Sequence, residues 1–306
     1  MGRGHPESPQ RLDAIDDHLR AVGLDIALEA RGAPLVDLAD VALAHDSGYV
    51  TEIQHVLQQV MADGEPRSLD PDTIASPGTW NAVRRAAGAA VAATDAVTDG
   101  NARNAFCAVR PPWPHATRHA AMWFFFFNNV AIAARHAVDV RGLERVAIID
   151  FDVHHGNGTE DIIAGDERVL MVSFFQHPFY PYSGGVPMGP NMVNVPIPAY
   201  TRGPEIRSLI EANWMPRLES FRPQMLFISA GFDAHREDDL GQLGLVEADY
   251  AWMTRRLMAV AQRHSKGRIV SCLEGGYNLS ALARSVAAHL RVLAGVDGVE
   301  SSEPHP

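Results

Sequence analysis

Apolar residues recur at helical spacing through residues 8–22 and 46–61, and an Ala-rich stretch at 81–97 comes after the turn and start signal Ser76-Pro77-Gly78-Thr79. Past residue 104 the pattern changes. Short unbroken apolar runs occupy 105–109, 146–149, 169–172, 225–228 and 269–273, with helix-like stretches at 130–138, 205–221 and 247–262 between them. Strands covered on both faces read as continuous apolar runs, so this alternation predicts an α/β fold, a mostly parallel sheet with helices on both sides. No fixed-period repeat occurs and no linker-like stretch precedes the tail at 301–306, which predicts a single domain over residues 1–306.

The chemistry is concentrated just beyond the apolar runs. RPPWPHA succeeds the first, DFDVHHGNG the second, SAGFDAHRED the fourth and EGGYNL the fifth. The carboxyl ends of parallel strands border the ligand crevice of such sheets, so four polar, Gly-rich loops are expected to meet at one site.

Composition narrows the chemistry available there. The 306 residues hold 14 His and only 2 Cys, Cys107 and Cys272, too few for a Cys-rich zinc module or a disulfide framework. Any metal would rest on imidazole and carboxylate. A hydrophobic fraction of 46% with 21% charged residues and a mean hydropathy of -0.09 excludes wholesale disorder. The net charge of -11 argues against a phosphate-backbone binder and is compatible with a small or cationic substrate. The opening MGRGHPESPQRL lacks the apolar stretch of a secretory signal, and the longest apolar run, 120–127, is far short of the roughly 20 residues of a spanning helix. A cytoplasmic protein is expected, with no nucleic-acid or membrane partner.

Within the second loop, period-two alternation continued past Ile149 would put Asp150, Asp152 and His154 on one face. Two carboxylates and an imidazole make a poor core and a good metal site; the alternative is a strand-end turn with solvated acids. Asp233 could complete an Asp, His, Asp set with an open position, the pattern of catalytic zinc, although alone it reads as a turn or helix cap. Tyr277, after Gly275 and Gly276, could donate a hydrogen bond to an oxyanion or simply pack over a glycine turn. His115, in a loop stiffened by Pro111, Pro112 and Pro114, is a candidate general base; the alternative is a surface histidine.

In combination, HPESPQRL, FFNNVAIAARHA, DFDVHHGNGTED, SAGFDAHREDDLGQLGL and LEGGYNLSAL resemble the histone deacetylase family, in particular its bacterial amidohydrolases of the class II type, from about His5 to Leu293. The resemblance implies an arginase-like α/β fold and a zinc-dependent amidohydrolase that removes acyl groups from lysine, polyamine or related amines. It implies zinc ligation by Asp152, His154 and Asp233, carbonyl polarisation by Tyr277, and proton transfer by His115, oriented by Asn157. It further implies a potassium site at Asp150, Asp152 and Ser173 with backbone oxygens of His154 and Phe174, and a substrate tunnel walled by Phe124 and Tyr180. Oligomeric state is not legible in the sequence.

Three departures stand at the rim. The family's Gly-His-His reads Trp113-Pro114-His115, so the first histidine of the tandem is Pro114, and the carboxylate matching Asp150 loses that partner. Trp123 takes the place of a glycine beside the tunnel and is counted among the substrate-contacting positions. Added bulk of this kind is expected to narrow the tunnel and weaken hydrolysis while zinc binding survives, unless the two tryptophans face outward. The competing readings are a non-catalytic binder of acylated ligands and an arginase-like binuclear enzyme; the latter lacks its carboxylates, since Asn157 stands where one is wanted and SAGFDAH carries one Asp where two are expected. Family chains also carry a first strand ahead of the segment matching His5-Pro6-Glu7, so an exposed sheet edge, or a start further upstream, is expected.

Overall fold

The computed structural model describes residues 4–68, 74–112, 115–121 and 126–296. Trp113, Pro114, Trp123 and Phe124, singled out above, lie outside the described residues. Helices α1 (Gln10–Ala21), α2 (Leu38–Ala44) and α3 (Ser47–Asp63) come first, then a short antiparallel pair, β1 (Arg67–Ser68) and β2 (Ile74–Ala75), and α4 (Thr79–Thr98). The remainder alternates: β3 (Asn104–Cys107), α5 (Asn129–Asp139), β4 (Val146–Asp150), α6 (Asn157–Ile163), β5 (Val169–Gln176), β6 (Met192–Ile197), α7 (Gly203–Phe221), β7 (Leu226–Ala230), α8 (Glu247–His264), β8 (Ile269–Leu273) and α9 (Leu279–Ala294).

Strands β3 to β8 form one parallel sheet in the order β3-β8-β7-β4-β5-β6. Its two faces obey the period-two rule. Ala147, Ile149, Leu170, Val172, Leu226, Ile228 and Ile269 pack with α1, α7, α8 and α9 around the buried Trp214 and Tyr250. The alternate residues Val146, Ile148, Val169, Met171, Phe227 and Val270 pack with α3, α4 and α5. Both faces are covered, which is why the strands read as unbroken apolar runs.

Local signals set the element ends. The Asp46 side chain accepts hydrogen bonds from the Gly48 and Tyr49 amides to open α3, and Asn128 and Asn278 accept from residues three further on to open α5 and α9. Each such cap stabilises its helix by about 1 kcal/mol. The structure extends the apolar run at 169–172 to Gln176, which brings Ser173 and Phe174 into β5. It adds β6, whose Asn194 and Pro196 interrupt the apolar pattern; among the described residues β6 lies at the sheet edge and pairs with β5 alone, where proline is tolerated. β3 is the opposite edge, pairing only with β8 among the described residues.

Candidate metal centre

β4 ends at Asp150, yet side-chain parity persists beyond it. Phe151 and Val153 continue the core face of Ala147 and Ile149, which directs Asp152 and His154 the other way. The neighbouring strand β7 delivers Asp233 three residues past its end, and β8 delivers Gly275. Asp152, His154 and Asp233 are all buried, and one ligand atom from each lies within 4.8 Å of the others. His154 Nδ1 is 3.1 Å from Asp152 Oδ1 and 3.1 Å from Asp233 Oδ2.

The remaining carboxylate oxygens are fixed by backbone. Asp152 Oδ2 accepts from the Gly275 amide at 2.9 Å, and Asp233 Oδ1 accepts from the Val153 amide at 2.9 Å. Such approach excludes a side chain at Gly275, where a Cβ would stand 1.9 Å from Asp233 Oδ2. One oxygen of each carboxylate is thereby locked while the other faces the imidazole.

Electrostatics make this trio a receptor for positive charge. Burial disfavours charge on His154, but hydrogen bonds to Asp152 and Asp233 and their negative charges outweigh it and raise its pKa to about 10. Asp233 is pushed up to about 7 by burial and by the Asp152 charge. Burial opposes ionisation of Asp152 as well, yet hydrogen bonds from His154 hold it below the ordinary carboxylate range. The place between these side chains favours positive charge, and the same three residues could hold a divalent cation. The donor set, one imidazole and two carboxylates, all buried, fits zinc.

His115 lies beside this centre, its ring centroid 6.2 Å from that of His154. Its Nδ1 is 2.6 Å from Asn157 Oδ1, at the start of α6. Gly158 lets the two segments touch, since a Cβ there would stand 2.4 Å from the Ala116 carbonyl oxygen. Burial, reinforced by the His154 charge, lowers the His115 pKa to about 4 and favours the neutral ring. Tyr180 meets His115 edge to face at 5.7 Å between ring centroids, and Phe179 stacks on His154 at 5.4 Å.

Asp150 and Ser173 are register partners on β4 and β5, both buried. Asp150 Oδ1 accepts from the Asp152 amide at 3.0 Å, whereas Asp150 Oδ2 and Ser173 Oγ have no hydrogen-bond partner among the described residues. Burial, then the Asp152 charge, pushes the Asp150 carboxyl well above its ordinary range. His155, next to the ligand His154, bonds Ser183 at 2.8 Å and pairs with Glu160 at 2.9 Å, anchoring the β5–β6 connection.

Tyr277 stands after the Glu274-Gly275-Gly276 turn, half-buried, and burial together with the Asp233 charge raises its phenol pKa well above 10. Arg11 of α1, completely buried, supports this turn. It donates to the Gly276 carbonyl at 2.7 Å and to the Glu274 carbonyl, pairs with Glu7 at 3.0 Å, and lies 5.1 Å from the Tyr277 ring centroid. Sequence reasoning missed Arg11, although it sits in phase with the apolar Ile15 and Leu19, where an arginine is unexpected. It also missed Phe179, for which the adjacent aromatic pair Phe179-Tyr180 was a signal, and Asp238, which reads as part of a charge run.

Comparison with known proteins agrees with this architecture. Residues 5–293 match the histone deacetylase domain. The histone deacetylase-like amidohydrolase of Pseudomonas aeruginosa is 35% identical over 96% of this chain and 78% of its own. A probable deacetylase of Archaeoglobus fulgidus is 35% identical over 98% of this chain and 84% of its own, and the mouse polyamine deacetylase HDAC10 is 35% identical over 94% of this chain and 45% of its own. The crystal structure of the HDA15 HD domain superposes with a TM-score of 0.89 at 32% identity, covering 96% of this chain and 84% of that one. The six-stranded parallel sheet is thus the core of an arginase/deacetylase-like α/β fold. No helix among the described residues is long and apolar enough to cross a membrane.

Proposed function

The chain belongs to the histone deacetylase family of amidohydrolases, and from that membership we propose that it is a zinc-dependent deacylase of an acylated lysine, polyamine or related amine. The observation that carries this reading is the buried convergence of Asp152, His154 and Asp233. Zinc held by these three side chains would supply Lewis-acid polarisation of the acyl carbonyl and a water of lowered pKa.

The chain's own residues would do the rest. An amide oxygen only accepts, so Asn157 Oδ1 fixes the proton of His115 on Nδ1 and leaves Nε2 as the basic atom. His115 takes a proton from water as the C–O bond forms and returns it to the amine nitrogen as the C–N bond breaks. Tyr277 donates its phenolic hydrogen bond to the acyl oxygen, where negative charge develops; its raised pKa keeps that proton in place. Phe179 and Tyr180 would flank the aliphatic stem of the substrate; Phe124 and Trp123, which the family resemblance assigns to the same tunnel, lie outside the described residues. The two buried oxygens of Asp150 and Ser173 support a potassium ion there, completed by Asp152 and backbone oxygens of His154 and Phe174, which would brace the shared Asp152 loop.

The test is bound zinc and turnover measured on the same preparation, with acetyl-lysine peptides and acetylated polyamines offered separately. One zinc per chain and release of acetate, reduced by about 100-fold or more in Tyr277→Phe, is the expected result. Tight zinc without acetate release from either class would overturn the enzyme reading in favour of a binding protein.

A further inference from the structure

Asp238 lies five residues past Asp233 and is 5% exposed. Its Oδ2 accepts hydrogen bonds from the amides of Tyr277 at 2.6 Å and Asn278 at 2.9 Å, while Oδ1 accepts from the Leu240 amide at 3.0 Å. One carboxylate therefore ties the loop that carries Asp233 to the turn that carries Tyr277. The placement is not incidental. Gly276 has φ +118, so the chain reverses just before Tyr277, and Asn278 is the N-cap of α9. The Tyr277 and Asn278 amides thus fall between turn and helix, where no intrahelical acceptor is available, and a buried anion satisfies both. Arg11 grips the carbonyls of Glu274 and Gly276 from the other side. Carbonyls held by a cation and amides held by an anion leave the Tyr277 backbone little freedom.

We propose that Asp238 is a positioning residue that sets where the Tyr277 phenol stands relative to Asp152, His154 and Asp233. The inference rests on the reading that Tyr277 bonds the acyl oxygen. Its cost when removed falls on the step in which that bond strengthens, and so on kcat rather than on substrate binding.

The experiment compares wild type, Asp238→Ala, Asp238→Asn, Tyr277→Phe and the double variant Asp238→Ala/Tyr277→Phe, all zinc-loaded. Asp238→Ala should lower kcat on an acetyl-lysine peptide by about 30-fold or more, with KM within about twofold and zinc content unchanged. Asp238→Asn, which keeps an acceptor oxygen, should recover part of the rate. The double variant should be no slower than Tyr277→Phe, because a residue acting through Tyr277 has nothing left to act on. Losses that multiply, a change confined to KM, or loss of zinc would overturn the proposal. If the alanine variant does not fold, the same cycle with Asp238→Asn decides it. Backbone hydrogen exchange provides a reading independent of turnover: the segment holding Tyr277 and Asn278 should exchange faster in both Asp238 variants while the sheet is unchanged. Unaltered exchange there would overturn the inference even in an active enzyme, and wild type without turnover would overturn the deacylase reading while leaving exchange to decide this one.

Discussion

His115 Nδ1 and Asn157 Oδ1 stand 2.6 Å apart, and because Asn157 is the first residue of α6, the orientation of the imidazole is set by the start of a helix. Replacement of Asn157 by Ala should lower kcat by about 10- to 100-fold, the usual cost of losing a group that orients a reacting one, with bound zinc unchanged. Asn157→Asp keeps an acceptor at that atom and should retain most of the rate. Steady-state kinetics with zinc analysis on both variants checks the pair.

Zinc binding should depend steeply on pH. His154, raised to about 10, carries a proton that the metal must displace, so below that value apparent affinity should climb about tenfold per pH unit. Asp233, at about 7, adds a second displaced proton as the pH falls further. Competition against a chromophoric chelator at pH 6, 7 and 8 measures the slope, and a flat profile would contradict the arrangement of the three ligands. Chelation should also lower the melting temperature, since Asp152, His154 and Asp233 converge only in the folded chain and a metal held there would favour it.

His289 predicts a stability that falls on mild acidification. Thr254 Oγ1 donates to the Tyr250 carbonyl at 2.7 Å and must accept from His289 Nδ1, which leaves Nε2 to accept from Ser271 Oγ. The ring is neutral and completely buried, and burial lowers its pKa to about 3. The unfolded chain takes up this proton near pH 6.5 and the native chain does not, so stability is present above pH 6.5 and lost as pH falls toward 3. The loss between pH 7 and pH 5 is roughly 2 kcal/mol. Urea unfolding at those two pH values should show it, and His289→Gln should flatten the difference whatever its effect at pH 7.

The three departures from the family pattern, Trp113, Pro114 and Trp123, offer a gain-of-function test. Changing Trp123→Gly, and Trp113→Gly together with Pro114→His, removes bulk and restores the imidazole the family places before His115. Turnover should rise, by about tenfold for every ~1.4 kcal/mol taken off the barrier. An unchanged rate would mean that these side chains do not limit the substrate path.

Legibility in the sequence split along a physical divide. β4 and the Asp150 to Asn157 loop were readable because strand periodicity and ligand spacing are both local: the whole pattern lies in one short stretch of chain. Asp233 and Tyr277 were placed because parallel strands bring their carboxyl ends together wherever they fall in the chain. Arg11 was not, since its acceptor at Gly276 lies 265 residues away and nothing near α1 names it. Asp238 failed for another reason: three backbone amides are its partners, and backbone has no sequence signature. The strand β6 was hidden by Pro196, whose edge position can be known only once the sheet order is known.

The alternation that runs from Ala147 through Ile149, Phe151 and Val153 joins hydrophobic core and chemistry in a single phase. A deletion of one residue between Ile149 and Asp152 would exchange their roles, swinging the two ligands inward and offering aromatic and aliphatic carbon to the metal. Length changes in this loop are therefore quantised: an even number of residues shifts the ligands but preserves their side, whereas an odd number abolishes the centre and the packing beneath it together.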